Sequence, residues 1–191
     1  HVPMVMGGVL PTYNLPSVQT PLRFNPETLV GIYYGAIKYW DDARITAINP
    51  DVKLPHTAIT VVYRSDSSGT TSIWTDYLSK VSGTWKSNVG SGNTVKWPTG
   101  IGAPGNAGVS STVQKTEGAI GYVEVAYALG AGLPLPYLQN AAGNFVQPNL
   151  ANVSAAASGV TPSSDVQKLA TSITNGAASN AYPISAFTYI L

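Results

Sequence analysis

A β-branched run, Ile59-Thr60-Val61-Val62-Tyr63, leads directly into Arg64-Ser65-Asp66-Ser67-Ser68-Gly69-Thr70-Thr71. Ile73, Tyr77, Leu78 and Val81 then recur at the spacing of one helix face. The first run has the composition of a strand and the last group the period of a helix. The hydroxyl-rich stretch between them is a short loop, with the helix expected to open near Ser68 or Gly69. A strand feeding a helix through so short a join must lay that helix back on a sheet. The chain is therefore expected to be α/β or mixed in architecture.

Other segments fit the same plan. Val2 to Leu10 reads as a short buried strand broken by Gly7-Gly8, and Pro11 to Pro21 as a polar loop with three prolines. Asn25-Pro26-Glu27 is a helix start: a capping amide, a proline where no N–H is needed, and an acid at the positive end. Leu29, Ile32, Tyr33, Ala36 and Ile37 give that helix one apolar face, and a second short helix covers Ala43 to Ile48. Ser87 to Asn106 is rich in loop residues. Helix is expected from Ala107 to Lys115, strand from Ala119 to Val123, and a helix start over Glu124 to Ala128. Leu150 to Ser158 and Ser164 to Ile173 read as helical, and Phe187 to Leu191 as an apolar strand.

Composition excludes several classes of function. Charged residues make up 10% of the 191, with a net charge of +1, against roughly 25% charged in average soluble proteins. So sparse a charge offers no extended surface for nucleic acid. With no Cys and only His1 and His56, the usual zinc sites lack ligands, and no metal or cofactor is expected. Solubility resting on hydroxyls and amides suits a secreted or surface protein, although the missing cysteines are neutral on redox compartment. No apolar run approaches the roughly 20 residues that span a bilayer. No basic segment followed by an apolar stretch opens the sequence.

The loop from Arg64 to Thr71 carries the chemistry. A helix N-terminus presents unpaired N–H groups and a partial positive charge. Gly69 permits close approach of the backbone, the Ser68 and Thr70 hydroxyls can donate, and Arg64 supplies a planar fork for oxyanion oxygens. Asp66 can hold Arg64 or cap the helix. The same residues are also common capping residues, and on the residues alone both readings stand. No Walker pattern is present. The literal G-x-G-x-x-G at Gly100 to Gly105 follows a poor strand and contains Pro104, so a ligand-adjacent or merely structural glycine loop is the expectation there. Catalysis has little support. No G-x-S-x-G elbow occurs, His56 is expected at a surface or strand edge, and Glu124 is expected to be a satisfied structural acid.

Thr60 to Thr71, followed by Thr75-Asp76-Tyr77-Leu78, resembles the signature of the phosphate-binding proteins that serve phosphate ABC importers. The resemblance continues through Trp85-Lys86, Val89 to Gly92, Val95 to Pro98, Gly100 to Gly102, Gly105 to Val109 and Gly118 to Glu124. Gly7-Gly8-Val9, Trp40-Asp41-Asp42, Ile48-Asn49-Pro50 and Tyr182-Pro183-Ile184 also match. It implies a two-lobed fold of the periplasmic-binding-protein type that closes on inorganic phosphate. Arg64, Ser68, Gly69 and Thr70 match family positions that touch phosphate, and Asp66 matches the acid that orients the arginine.

The family's first-lobe segment, with its Thr-containing loop, Ser and Asp, has no counterpart here. The resemblance thus implies a crossing strand or hinge at 1–10, a second lobe with the anion-binding strand–loop–helix at 11–180, and a return strand at 181–191. The absent lobe is expected from a separate N-terminal fragment or chain, or from a longer protein. The implied function is non-enzymatic: an extracytoplasmic solute-binding protein, in the periplasm or at the cell surface, that delivers phosphate to a membrane ABC permease. A secreted surface or scaffold protein that keeps the fold without transport is the alternative, and a phosphate-releasing hydrolase is a more distant one.

Overall fold

The computed structural model describes residues 2–160 and 171–190. Its centre is a five-stranded mixed sheet. Strands β1 (Val2–Tyr13), β3 (Thr60–Arg64), β4 (Ile101–Ala103), β5 (Ala119–Glu124) and β8 (Ser185–Ile190) lie in the order β4-β3-β5-β1-β8. β3 runs parallel to β4 and β5, whereas β1 is antiparallel to β5 and β8. β2 (Arg23–Phe24), β6 (Tyr137–Gln139) and β7 (Phe145–Val146) form a small second sheet. The parallel strands are joined through helices α3 (Gly69–Val81), α4 (Gly83–Asn88) and α5 (Gly105–Lys115). Helices α1 (Pro26–Tyr33), α2 (Ala43–Ile48), α6 (Val125–Gly130) and α7 (Leu150–Ala155) complete the described elements. This is the α/β architecture expected from alternating strands and helices.

The first strand departs from the sequence reading. It is continuous through Gly7 and Gly8 and runs on to Tyr13, so Pro11 to Tyr13 are strand rather than loop. A Cβ on Gly8 would lie 3.3 Å from the Tyr182 ring, so the glycine makes room for that fully buried tyrosine instead of breaking the strand. Pro11 pairs with Tyr122, beyond the last β8 pairing at Gly8, and Pro3 adjoins a register shift. Edges and bulges are the settings in which a strand tolerates proline.

α1 opens as expected, with the Asn25 side chain accepting from Thr28 N. It ends at Tyr33, short of the apolar face expected to reach Ile37. The N–H groups of Ala36 and Ile37 both donate to Gly31 O, and Ile37 folds back over the glycine. Ile37 is buried, then, by a turn rather than by a helix. α2 covers the expected residues, with Asp42 as its cap. α4 was not expected. Its signal is Ser82, which ends α3 and whose hydroxyl accepts from Trp85 N. The helix expected over 164–173 lies outside the described residues except for 171–173, which are irregular.

The core is aromatic where it supports the central strands. Trp74 of α3 stacks on Tyr122 of β5 at 5.3 Å between centroids, and Trp97 stacks on Tyr122 at 5.6 Å and on Tyr63 at 5.1 Å. Trp74 and Tyr122 are fully buried. Such pairs contribute about 0.5–1.5 kcal/mol each beyond area burial. They fix α3 against β5, and that contact decides where the first turn of α3 points.

Candidate functional site

In open α/β sheets, ligands bind beyond the carboxyl ends of parallel strands. Here those ends belong to β4, β3 and β5, side by side. β3 ends at Arg64, Asp66 lies in the bend that follows, and α3 begins at Gly69 with Ser68 as its N-cap. Arg64, Asp66, Ser68, Gly69 and Thr70 thus sit along one strand-to-helix turn, as the sequence suggested.

Arg64 is clamped. Its Nε donates to Asp66 Oδ1 at 2.8 Å and one terminal nitrogen donates to Oδ2 at 2.6 Å. A two-point pair of this kind fixes the plane of the guanidinium. Asp66 Oδ1 also accepts from Gly105 N at 3.0 Å, at the start of α5. The Arg64 guanidinium, and secondarily the Gly105 N–H, hold the Asp66 carboxyl well below the usual carboxylate range. Nη1 of Arg64 has no partner among the described residues.

The helix turn is equally defined. Ser68 N donates to Asn93 O at 3.0 Å, and Ser68 Oγ accepts from Thr71 N at 3.1 Å. The cap therefore exists, and it contributes about 1 kcal/mol to the helix. It occupies Ser68 as an acceptor, and the hydroxyl proton meets no acceptor among the described residues. The N–H groups of Gly69 and Thr70 open the helix, where no intrahelical acceptor exists, and no other acceptor meets them among the described residues. Capping and anion binding thus use different atoms of one turn. A Cβ on Gly69 would meet no atom within 4 Å beyond its own stretch of helix, so the side of the turn at Gly69 is open.

Two residues that the sequence reading did not place at the site complete the arrangement. Tyr122 OH accepts from Arg64 N at 3.0 Å and bonds Thr71 Oγ1 at 2.6 Å. Burial pushes this phenol up to about 12. Glu124, expected to be a structural acid, closes β5 and remains exposed, with Oε1 accepting the Thr70 hydroxyl at 3.1 Å. The Thr70 proton, expected to face an oxyanion, is held by this carboxylate. Tyr122 carried no legible signal, since buried tyrosines are usually core. Glu124 could have been found from β5 pairing beside β3.

The glycine pattern at Gly100 to Gly105 meets backbone constraints at one end and adjoins the Arg64 turn at the other. Gly100 has φ +106°, and a Cβ there would lie 2.5 Å from Val61 O. Gly105 reaches the site through its N–H on Asp66. His56 bonds Asp41 at 2.9 Å and stacks on Tyr39 at an exposed surface, and none of these bonds reaches the Arg64 group. A cleft of about 430 Å³ beside Gly69 contains Asp76, whose carboxylate is taken by Ser172, Thr174 and Lys80. Among the described residues no cluster of His, Cys, Asp or Glu could hold a metal.

A fixed guanidinium, two open amides and a free hydroxyl proton meet at the end of a parallel strand. A family model described as a PBP superfamily domain matches residues 1–191. The chain belongs to the PBP superfamily. Among curated relatives of this PBP chain, the phosphate-binding protein PstS of Xylella fastidiosa strain Temecula1 is 46% identical over 190 residues, 99% of this chain and 52% of that protein. PstS of Methanocaldococcus jannaschii is 41% identical over 202 residues, again 99% of this chain and 52% of the relative. The chain thus spans about half the length of the curated relatives it matches.

A solved structure of the high-affinity periplasmic phosphate-binding protein PfluDING, bound with phosphate, superposes with a TM-score of 0.65 at 26% identity. The match covers 97% of this chain and 55% of that one. A crystal structure of a DING protein gives a TM-score of 0.72 at 24% identity, over 97% and 57% of the two chains, and shows the shared PBP fold.

Proposed function

We propose that this PBP chain is the second lobe of an extracytoplasmic solute-binding protein that takes inorganic phosphate and delivers it to a membrane ABC permease. One observation carries the reading. Arg64 is locked by Asp66 beside the acceptor-free amides of Gly69 and Thr70 and the Ser68 hydroxyl proton. Those donors suit a tetrahedral oxyanion, and each charge-assisted bond is worth about 1.5–3 kcal/mol. The names of the relatives supply the ligand: PstS and PfluDING are phosphate-binding proteins.

In this reading Arg64, Ser68, Gly69 and Thr70 contact phosphate, and Asp66 orients the arginine. A first lobe, in the same protein or as a separate N-terminal fragment, covers the ligand's other face. Residues 1–10 and 181–191, which include the paired ends of β1 and β8, serve as the connection between lobes. Lobe closure then surrounds the anion. The reading is of binding without catalysis. Among the described residues no helix is long and apolar enough to cross a membrane, which is compatible with a carrier that meets its permease from outside the bilayer.

Calorimetric titration of phosphate into the protein carrying both lobes tests the reading. Arg64→Ala should weaken binding by roughly a hundredfold or more, the loss of about 3 kcal/mol. Unchanged affinity would remove the assignment.

A further inference from the structure

Among the described residues, Glu124 is the group bonded to the Arg64–Thr70 turn that opposes an anion without serving the arginine clamp. Asp66 is a carboxylate too, but it spends its oxygens on Arg64 and Gly105. Glu124 makes no bond to Arg64, yet lies close enough for its charge to act on that guanidinium. Among the described residues its side chain hydrogen-bonds the Thr70 hydroxyl alone, at 3.1 Å. Thr70 is buried and Glu124 exposed, so the carboxylate reaches in from the rim to the donor. A hydroxyl has a single proton to give, and a carboxylate is a strong acceptor for it.

We propose that Glu124 is an affinity-setting residue of the anion site, an internal rival for the Thr70 hydroxyl proton. The proposal rests on the reading of this turn as a phosphate site. With Arg64 balanced by Asp66, the Glu124 charge leaves the side chains around the turn with one net negative charge. An entering phosphate oxygen must either draw the Thr70 proton away from Glu124 or bind without it. In both cases the carboxylate weakens binding, by competing for the donor and by repelling the ligand. The backbone amides of Gly69 and Thr70 are untouched by this rivalry.

Titrating inorganic phosphate into the two-lobed protein tests the idea with Glu124→Gln, which keeps shape and removes charge. Affinity should rise about three- to tenfold, and the gain should shrink as salt is raised, because an exposed charge is screened. In a Thr70→Val background the same change should give less than half of that gain, a coupling that a double-mutant cycle isolates. Melting temperatures of all four proteins show whether the fold is intact. Unchanged or weaker binding in Glu124→Gln would overturn the proposal while leaving the phosphate reading standing. A gain of equal size in the Thr70→Val background would overturn the rivalry. If the parent protein takes no phosphate, the reading of the site fails and this proposal falls with it.

Discussion

Tyr122 OH accepts the backbone N–H of Arg64 at 3.0 Å, a bond from the middle of β5 to the last residue of β3. The same oxygen bonds Thr71 Oγ1 in the first turn of α3. One phenol thus ties together the strand that ends in the arginine and the helix that offers its amides. Trp74 and Trp97 stack against the ring and hold it in place. The turn geometry depends on this buried support as much as on the loop's own sequence.

Tyr122→Phe keeps the ring stack and removes both bonds. Thr71 is buried and Arg64 N is left without its acceptor, so stability should fall by about 1–3 kcal/mol in denaturant melts. Phosphate affinity should fall with it, because the turn is no longer pinned. A variant as stable as the parent would show that the phenol carries no load.

Gly69→Ala separates fold from ligand. No atom lies within 4 Å of the added methyl, and alanine at a helix position is favourable relative to glycine by up to about 1 kcal/mol. The melting temperature should stay level or rise, while phosphate affinity drops at least about tenfold because the methyl adds bulk where the anion is proposed to approach the turn. Retained affinity would place the ligand elsewhere.

Asp66→Asn removes the charge that fixes Arg64 and accepts Gly105 N. Affinity should weaken roughly tenfold through loss of orientation, even though a negative charge near the anion has been removed. The Asp66 carboxyl is held far below its ordinary value, so any stability it contributes is complete above about pH 4 and lost only in stronger acid. No change in phosphate binding between about pH 5 and 9 should trace to this group. A midpoint in that range that disappears in the variant would contradict the assignment.

Asp42 gives a pH signature away from the site. It caps α2 and accepts Arg44 Nε at 2.9 Å and a terminal nitrogen at 2.8 Å, bonds that draw its carboxyl down to about 2. A depressed value means that its stabilisation is present above the unfolded value near 4 and lost as pH falls toward 2. Asp42→Asn keeps an amide cap and loses the ion pair, at a cost of about 0.2–1 kcal/mol near neutral pH. Parent and variant stabilities should converge only below about pH 2. A gap that persists there would mean that the cap, not the pair, is what the substitution disturbs.

Local chemistry made much of this chain legible. The β-branched run before Arg64 and the apolar period after Thr71 specify β3 and α3, because each pattern fits one backbone geometry. Asn25 and Asp42 announce α1 and α2 for the same reason, since a capping side chain satisfies donors within its own turn. Arg64, Asp66, Ser68, Gly69 and Thr70 were readable as a candidate site because they are neighbours along the sequence.

What the sequence could not disclose depended on residues far apart in it. Thr71 and Tyr122, Thr70 and Glu124, and Asp66 and Gly105 meet only because β4, β3 and β5 align side by side. Gly8 reads as a break until Tyr182 arrives to fill its space, and Ile37 reads as helical until it packs on Gly31. Local patterns determine which segments are strands and helices, because propensity and capping act over a turn or two. The pairing of strands, with the cross-strand partners that finish the site, is settled by burial and register across the whole sheet.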